Sequence, residues 1–304
     1  MANIAIIGAG LMGHGIAQVF AQAGHDVRVF DTQAAALETL KDKVAQNLAA
    51  MGQDASCLAR ITPCAVIADT VAHAHYVFEA GPENLELKRR IFLDVEAHAP
   101  ADALLASNTS VIQITRIMEP LAAKGRALGT HWWNPPFLVP LVEVIRAEHT
   151  HEDALAQMTA LLRSAGKTPV LVNKDVPGFV GNRLQHALWR EAMALVQNGV
   201  CDAETVDTVV KASFGRRLAV LGPLENADLV GLDLALAIHE TVLPDIDVTR
   251  GPLPCLHELI AAGKLGMKTG EGFRTWTPQE QAALRARVAS YLKTVGEILS
   301  RSDA

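Results

Sequence analysis

The sequence predicts a two-domain α/β protein: a doubly wound parallel sheet over residues 1–176, followed by an all-α domain over 177–304. Three observations carry this. Short apolar runs alternate with amphipathic stretches up to about residue 173. After "NKDVPGF" the strand pattern stops and only helical spacing continues. The length of 304 residues also exceeds the roughly 100 to 200 of one domain.

In chain order the strand candidates are "NIAIIGAG", "DVRVFD", "YVFEAG", "ALLASN", "RALGTHWW", "PLVEVI" and "TPVLVN". Helical patterns lie between them at Leu37 to Met51, Leu85 to His98 and Asp153 to Ala165. Strand and helix in alternation predict right-handed parallel βαβ units with helices on both faces. In the second half Leu184, Leu188, Ala192, Leu195 and Val196 follow helical spacing, which Asn198 and Gly199 end. Helices are expected at Asp202 to Ala212, Leu224 to Leu243 and Pro254 to Ala262. A last one opens at "TPQE", where Thr277 can cap, Pro278 suits the first turn and Glu280 completes a capping box. Its apolar stripe is Leu284, Val288, Leu292, Val295 and Leu299. Together these stripes exceed what one small bundle needs.

Composition excludes several functions. A content of 50% hydrophobic and 20% charged residues suits a sizeable core. The net charge of −6, without any basic run, argues against a nucleic-acid partner, which needs a positive surface to displace counterions. The start "MANIAIIGAG" has no basic region before its apolar stretch and turns at glycine too early for a signal peptide or membrane span. A cytoplasmic protein without membrane contact is expected. Cysteines 57, 64, 201 and 255 lack CxxC spacing and read as inert thiols.

The first strand runs into Gly8, Gly10 and Gly13 of "GAGLMGHG", and a helical pattern opens at Leu11 and Met12. Gly8 permits the tight bend, Gly10 lets the backbone approach a pyrophosphate, and Gly13 lets helix pack closely on strand, as in a Rossmann turn. The helix N-terminus then faces the negative charge. The second strand ends at Asp31, where a carboxylate accepts hydrogen bonds from a ribose 2′-hydroxyl and repels a 2′-phosphate. Thr32 and Gln33 offer no compensating cation, so NAD is the expected cofactor.

A second cluster lies in "HWWNPPFLVPLVEV", residues 131–144. Hydride transfer from an alcohol carbon needs a base for the hydroxyl proton, and histidine suits this task near neutral pH. His131 falls near the carboxyl end of its strand, where such sheets bind ligands. Glu143, between Val142 and Val144, is a carboxylate in an apolar strand and needs a partner. Across the turn that partner is His131, whose ring the carboxylate would orient. A solvated glutamate beside an edge histidine is the plain alternative. The pairs at 73 and 75 and at 149 and 151 have weak metal-like spacing without a third cluster, and no metal is expected.

Six blocks, "GAGLMGHGIAQ", "EAGPENLELKRRIF", "SNTS", "HWWNPP…PLVEV", "DVPGFVGNR" and "GKLGMKTGEGF", make nearly the whole chain resemble the 3-hydroxyacyl-CoA dehydrogenase family. The resemblance implies a Rossmann domain followed by a helical domain that forms a homodimer, with the active site in a cleft, and a place in fatty acid metabolism. It implies a catalytic pair at His131 and Glu143, a serine on the reacting oxygen at Ser110, and an asparagine on the neighbouring acyl carbonyl at Asn182. Cofactor contacts carry onto Glu83, Lys88, Asn134 and Lys268. In the implied reaction His131 takes the alcohol proton as hydride passes to NAD, so alkaline pH favours oxidation.

The chain departs from that family where the substrate is concerned. Members acting on CoA esters carry a basic helical hairpin between the equivalents of Asp31 and "EAGPEN"; here the segment is compact and its lysines are Lys41 and Lys43. After the histidine they carry small residues or phenylalanine, and a lysine before "LVE"; this chain has Trp132, Trp133 and Pro140. That block is similar to relatives that oxidise free polar alcohols such as carnitine, gulonate or hydroxylated pyridine carboxylates. The tryptophans either narrow the pocket and stack on a ring, or pack in the core. The leading expectation is an NAD-dependent dehydrogenase of a 3-hydroxyacyl-CoA or 3-hydroxyacid substrate; the alternative is a non-CoA polar alcohol. A lysine-dependent β-hydroxyacid dehydrogenase and a non-catalytic, crystallin-like binding protein fit less well, because neither needs Ser110, His131, Glu143 and Asn182 together.

Overall fold

The computed structural model describes residues 1–302. Its contacts divide the chain into a unit of Met1–Arg183 and a unit of Leu184–Ala304. The first unit follows the order β1 (Asn3–Ile7), α1 (Leu11–Gln22), β2 (Asp26–Phe30), α2 (Ala34–Glu38), α3 (Leu40–Met51), β3 (Ile61–Cys64), α4 (Ile67–Val71), β4 (Tyr76–Glu79) and α5 (Leu85–His98). It continues with β5 (Leu104–Ser107), α6 (Ile114–Met118), β6 (Ala127–Trp132), β7 (Leu141–Ile145), α7 (Glu152–Ser164) and β8 (Thr168–Val172). Helix α8 (Gly181–Gln197) starts in this unit and runs into the next.

The strands form one sheet in the order β3-β2-β1-β4-β5-β6-β7-β8. The chain winds outward from β1 in one direction and from β4 in the other. A crevice therefore opens between the carboxyl ends of these two strands, where such sheets bind ligands. Helices cover both faces, which is why the strands read as nearly continuous apolar runs. One core packs Ile4, Ile6, Val27, Val29, Phe78 and Trp132 against α1, α3 and α7. The other packs Ala5, Ile7, Val77, Leu105 and Ile145 against α5 and α6.

Four features depart from the sequence expectation. Strand β3 was missed because "ITPC" is short and holds Pro63; a proline is tolerated there because β3 is the sheet edge, with no ladder partner on one side. Strand β7 runs antiparallel to β6, so the sheet is mixed rather than wholly parallel. The eight residues between them are too few for a crossover. The helix expected from Leu37 breaks at Thr39, whose hydroxyl donates to the Ala35 carbonyl and competes with the helical ladder. The helix expected over Leu224 to Leu243 is two, because Gly231 adopts φ +100° between them.

In the second unit every regular element is a helix: the rest of α8, then α9 (Ala203–Ala212), α10 (Pro223–Val230), α11 (Leu232–Val242), α12 (Pro254–Ala261) and α13 (Pro278–Ser302). The capping box of α13 is present: the Glu280 carboxylate accepts from the Thr277 amide at 2.8 Å, and the Thr277 hydroxyl accepts from the Glu280 amide at 3.2 Å. The side chain of Leu299 lies outside the described residues. Among the described residues no helix is long and apolar enough to cross a membrane.

Candidate active site

The glycine turn lies at the crevice. Gly8 has φ +112°, and a Cβ there would stand 2.7 Å from the Ala80 carbonyl beyond β4. A Cβ on Gly13 would collide with the Gly8 carbonyl, so helix and turn pack at a distance only glycine permits. At Gly10 the space where a Cβ would point is open, which fits the approach of a pyrophosphate. Leu11 and Met12 supply the first amides of α1, and the first turn holds no acidic side chain to compete for them. Asp31 follows β2; its carboxylate accepts from the Ala9 amide at 2.7 Å and the Gln33 amide at 2.8 Å, tying the turn to the second strand. His14 is buried beneath, its Nδ1–H donating to the Gly10 carbonyl at 2.8 Å. Burial pushes its pKa down, the Gly10 bond works against that, and Lys43 adds a smaller push in the same direction as burial.

On the far side of the crevice β6 and β7 put His131 and Glu143 directly opposite one another. His131 Nδ1 lies 2.7 Å from Glu143 Oε2, with the residues 4% and 1% exposed. The other carboxylate oxygen accepts two backbone amides, Val180 at 2.9 Å and Gly181 at 3.0 Å, where α8 begins. Burial alone would raise the Glu143 pKa. The hydrogen bonds from His131, Gly181 and Val180, with the charge of the imidazole, outweigh it, and the net shift is downward. An ionised Glu143 accepts from Nδ1–H, which leaves Nε2 as the basic nitrogen.

The His131 ring is flanked by two aromatic rings: Trp133 at 5.3 Å and Phe179 at 5.6 Å between centroids. Strand alternation separates the two tryptophans. Trp132 points into the core against Phe20 and Phe78, whereas Trp133 shares the face of His131. Core packing therefore holds for Trp132 alone. The loop that follows, with Asn134 exposed, is fastened by Lys167, whose ammonium donates to the carbonyls of Pro136 and Val139 and lies 5.5 Å over the Trp132 ring.

Ser110 and Asn182 come together: the Asn182 amide donates to the Ser110 carbonyl at 2.9 Å, and Ser110 is exposed. Glu83 accepts from the Thr109 hydroxyl and from the Val111 and Ile112 amides at 3.3 Å, holding the loop that carries Ser110. Lys88 does not sit as expected. It is wholly buried, its ammonium 2.7 and 2.9 Å from the two carboxylate oxygens of Glu79, with no exposed surface from which to touch a cofactor. Glu79 also accepts from the Gly81 amide at 2.7 Å and the Ser107 hydroxyl at 2.7 Å. The cluster fixes the loop facing the glycine turn. Lys268 belongs to the second unit, in the turns after α12.

Glu79, Ser107, Asn108, Phe179 and Lys167 were missed in the sequence. Glu79 was findable, because "YVFEAG" sets a carboxylate in an apolar strand just as "PLVEVI" does. Asn108, whose side chain accepts from the Trp132 amide at 3.0 Å, carried no such signal. Among the described residues no cluster of histidine, cysteine or carboxylate side chains could hold a metal ion.

Two family models match the chain: the 3-hydroxyacyl-CoA dehydrogenase NAD-binding domain over residues 3–176 and the C-terminal domain over 178–276. The chain belongs to the 3-hydroxyacyl-CoA dehydrogenase family. It is accordingly an NAD-dependent oxidoreductase acting on CH–OH groups. Within this family it is 38% identical over 302 residues to 5-formyl-3-hydroxy-2-methylpyridine 4-carboxylate 5-dehydrogenase of Mesorhizobium japonicum, covering 98% of each chain. A solved structure of such a 5-dehydrogenase, an NAD+-dependent dismutase, superposes with a TM-score of 0.92 at 36% identity, covering 99% of both chains. The (S)-3-hydroxybutyryl-CoA dehydrogenase of Ralstonia eutropha superposes at 0.76 with 34% identity, covering 91% of this chain and 99% of the other.

Proposed function

We propose that this family member oxidises a small, free, ring-bearing carboxylate rather than a CoA thioester, with His131 as its base. The observation that carries the chemistry is the 2.7 Å contact of His131 Nδ1 with a buried Glu143 that two backbone amides hold in place. NAD, which the glycine turn and Asp31 would hold, supplies the acceptor for the hydride of the carbinol carbon. His131 Nε2 takes the hydroxyl proton, and Glu143 stabilises the imidazolium that results. An aldehyde enters the same chemistry as its hydrate, whose carbon bears both the hydroxyl and the hydrogen to be transferred. Oxidation releases a proton, so it is favoured at alkaline pH. Ser110 and Asn182, joined through one hydrogen bond, are the groups proposed to hold the reacting and neighbouring oxygens.

Two observations support a free substrate. The segment from Asp31 to β3 holds α2, α3 and one short 3-10 turn at Ser56–Arg60, with no second long helix to complete a basic hairpin for CoA phosphates. The full-length match to the pyridine carboxylate enzyme is also closer in shape and coverage than that to the hydroxybutyryl-CoA enzyme. This reading sets the chain apart from fatty acid metabolism. A cytoplasmic homodimer joined through the second unit completes the proposal. NADH formation near pH 9 is the test, with 5-formyl-3-hydroxy-2-methylpyridine 4-carboxylate, L-carnitine, gulonate and 3-hydroxybutyryl-CoA compared. The pyridine compound is expected to give the highest kcat/KM; a higher value for the thioester would overturn the reading.

A further inference from the structure

The geometry points to Trp133 as the residue that selects a planar substrate at this site, its indole forming a wall beside the catalytic imidazole. This inference rests on the dehydrogenase reading above and adds the shape of what that site accepts. Trp133 lies one residue beyond β6, on the face that His131 shares, and its ring plane is inclined 55° to the imidazole. Phe179 also packs near the imidazole, 5.6 Å away at an inclination of 51°, and is fully buried. The two rings differ in what they leave open: Phe179 is core, whereas Trp133 is only half-buried and presents surface next to the base.

The indole is seated firmly. A Cβ on Gly181 would collide with its six-membered ring, so the glycine opening α8 is matched to this side chain. The indole nitrogen has no hydrogen-bond partner among the described residues, which leaves packing as what holds the ring. The six-membered ring of the indole packs against Gly181. A rigid flat apolar surface beside the reacting carbon favours a substrate that can lie against it, by offset or edge contact between π-systems. An aliphatic hydroxy acid offers only a narrow tetrahedral profile and gains little. A hydrophobic wall of this kind discriminates by shape, through contacts made on binding.

The test compares wild type with Trp133→Leu and Trp133→Phe on the pyridine aldehyde and on L-carnitine. Trp133→Leu is expected to raise KM for the ring compound at least ten-fold and to lower the ratio of kcat/KM for the ring compound over that for carnitine by a similar factor; Trp133→Phe should restore most of the ring preference. Quenching of tryptophan fluorescence on adding the ring compound should disappear in the phenylalanine variant, which gives a second readout if the leucine variant folds poorly. An unchanged ratio of kcat/KM between the two substrates would overturn the inference, as would a loss confined to kcat, since the ring would then act only through His131. Wild type inactive on every ring compound would sink the substrate reading and this inference together, and that failure shows in the parent enzyme rather than the variants.

Discussion

Two interactions of one carboxylate decide how the site works at the scale of residues. Glu143 spends one oxygen on His131 and the other on the amides at the start of α8, so it cannot rotate without breaking three hydrogen bonds. Replacing it by glutamine keeps the shape. The glutamine oxygen still accepts the two amides, but its NH2 group now faces Nδ1 and forces that nitrogen to accept. The proton moves to Nε2, and the base is lost. Glu143→Gln should therefore lower kcat by about 10²- to 10⁴-fold, in line with the cost of the wrong tautomer in a comparable triad, with the Kd for NAD unchanged within about two-fold. Stopped-flow turnover and fluorescence titration of the nucleotide would check both parts; full activity would place the base elsewhere. The pKa of Glu143 is depressed, so its contribution to stability is present above the ordinary carboxylate range and fades as pH falls through the lowered value. His131 and Glu143 were legible because each is chemically out of place in its strand. The amides of Val180 and Gly181 were not, since a backbone donor leaves no mark in the sequence.

Elements position these residues, and the connection from β6 to β7 shows how. Eight residues reverse the chain instead of crossing over, and this reversal brings His131 opposite Glu143; two parallel strands would have given the pair a different register. The sequence spacing identified the partners but not the reversal, because periodicity reports burial and not strand direction. Similarly, Pro63 disguised β3, and the positive φ of Gly231 divided a helix whose apolar spacing runs straight through it. What holds the β6–β7 connection is Lys167, and burial lowers its pKa from 10.5 to about 8. The sign follows from proton counts: between about pH 8 and 10.5 the unfolded chain keeps a proton that the folded protein has released, so folding becomes more favourable as pH rises. Below pH 8 the full cost of burying the charge is present. Wild type should thus gain stability relative to Lys167→Met on going from pH 7.5 to 9.5, by roughly 1 kcal/mol after allowance for partial exposure. Urea denaturation of both proteins at the two pH values measures this. A gap that stays constant would mean that the ammonium remains charged throughout.

At the scale of the whole molecule the two units differ in how they are sustained. The first buries aliphatic and aromatic side chains on both faces of an eight-stranded sheet. Among the described residues after Arg183, by contrast, Ala194 and Leu253 are the ones fully buried. Ordering each residue costs about 1 to 2 kcal/mol in backbone entropy alone, which apolar burial must offset, and most apolar side chains of this unit are only half-buried or exposed. Helix α11 makes the deficit concrete. Leu232 and Leu236 lie on one side, Leu234, Ile238 and Val242 on another, and all five are exposed. A helix apolar on most sides is found covered, and an exposed patch of this extent marks an interface. The sequence already showed more apolar stripe than one bundle requires, although which stripes would stay uncovered was visible only once the helices were placed. A second copy of the chain is the cover expected here, since an isologous contact meets the same apolar surface with itself. Light scattering should give a mass of twice 32.5 kDa. Introducing charge with Leu234→Glu and Ile238→Glu, one turn apart on the same face of α11, should shift the protein to monomer or to loss of folding in the second unit, and lower Tm in a concentration-dependent way. A wild-type protein that stays monomeric at micromolar concentration with a cooperative, concentration-independent Tm would show that this unit is stabilised without a partner.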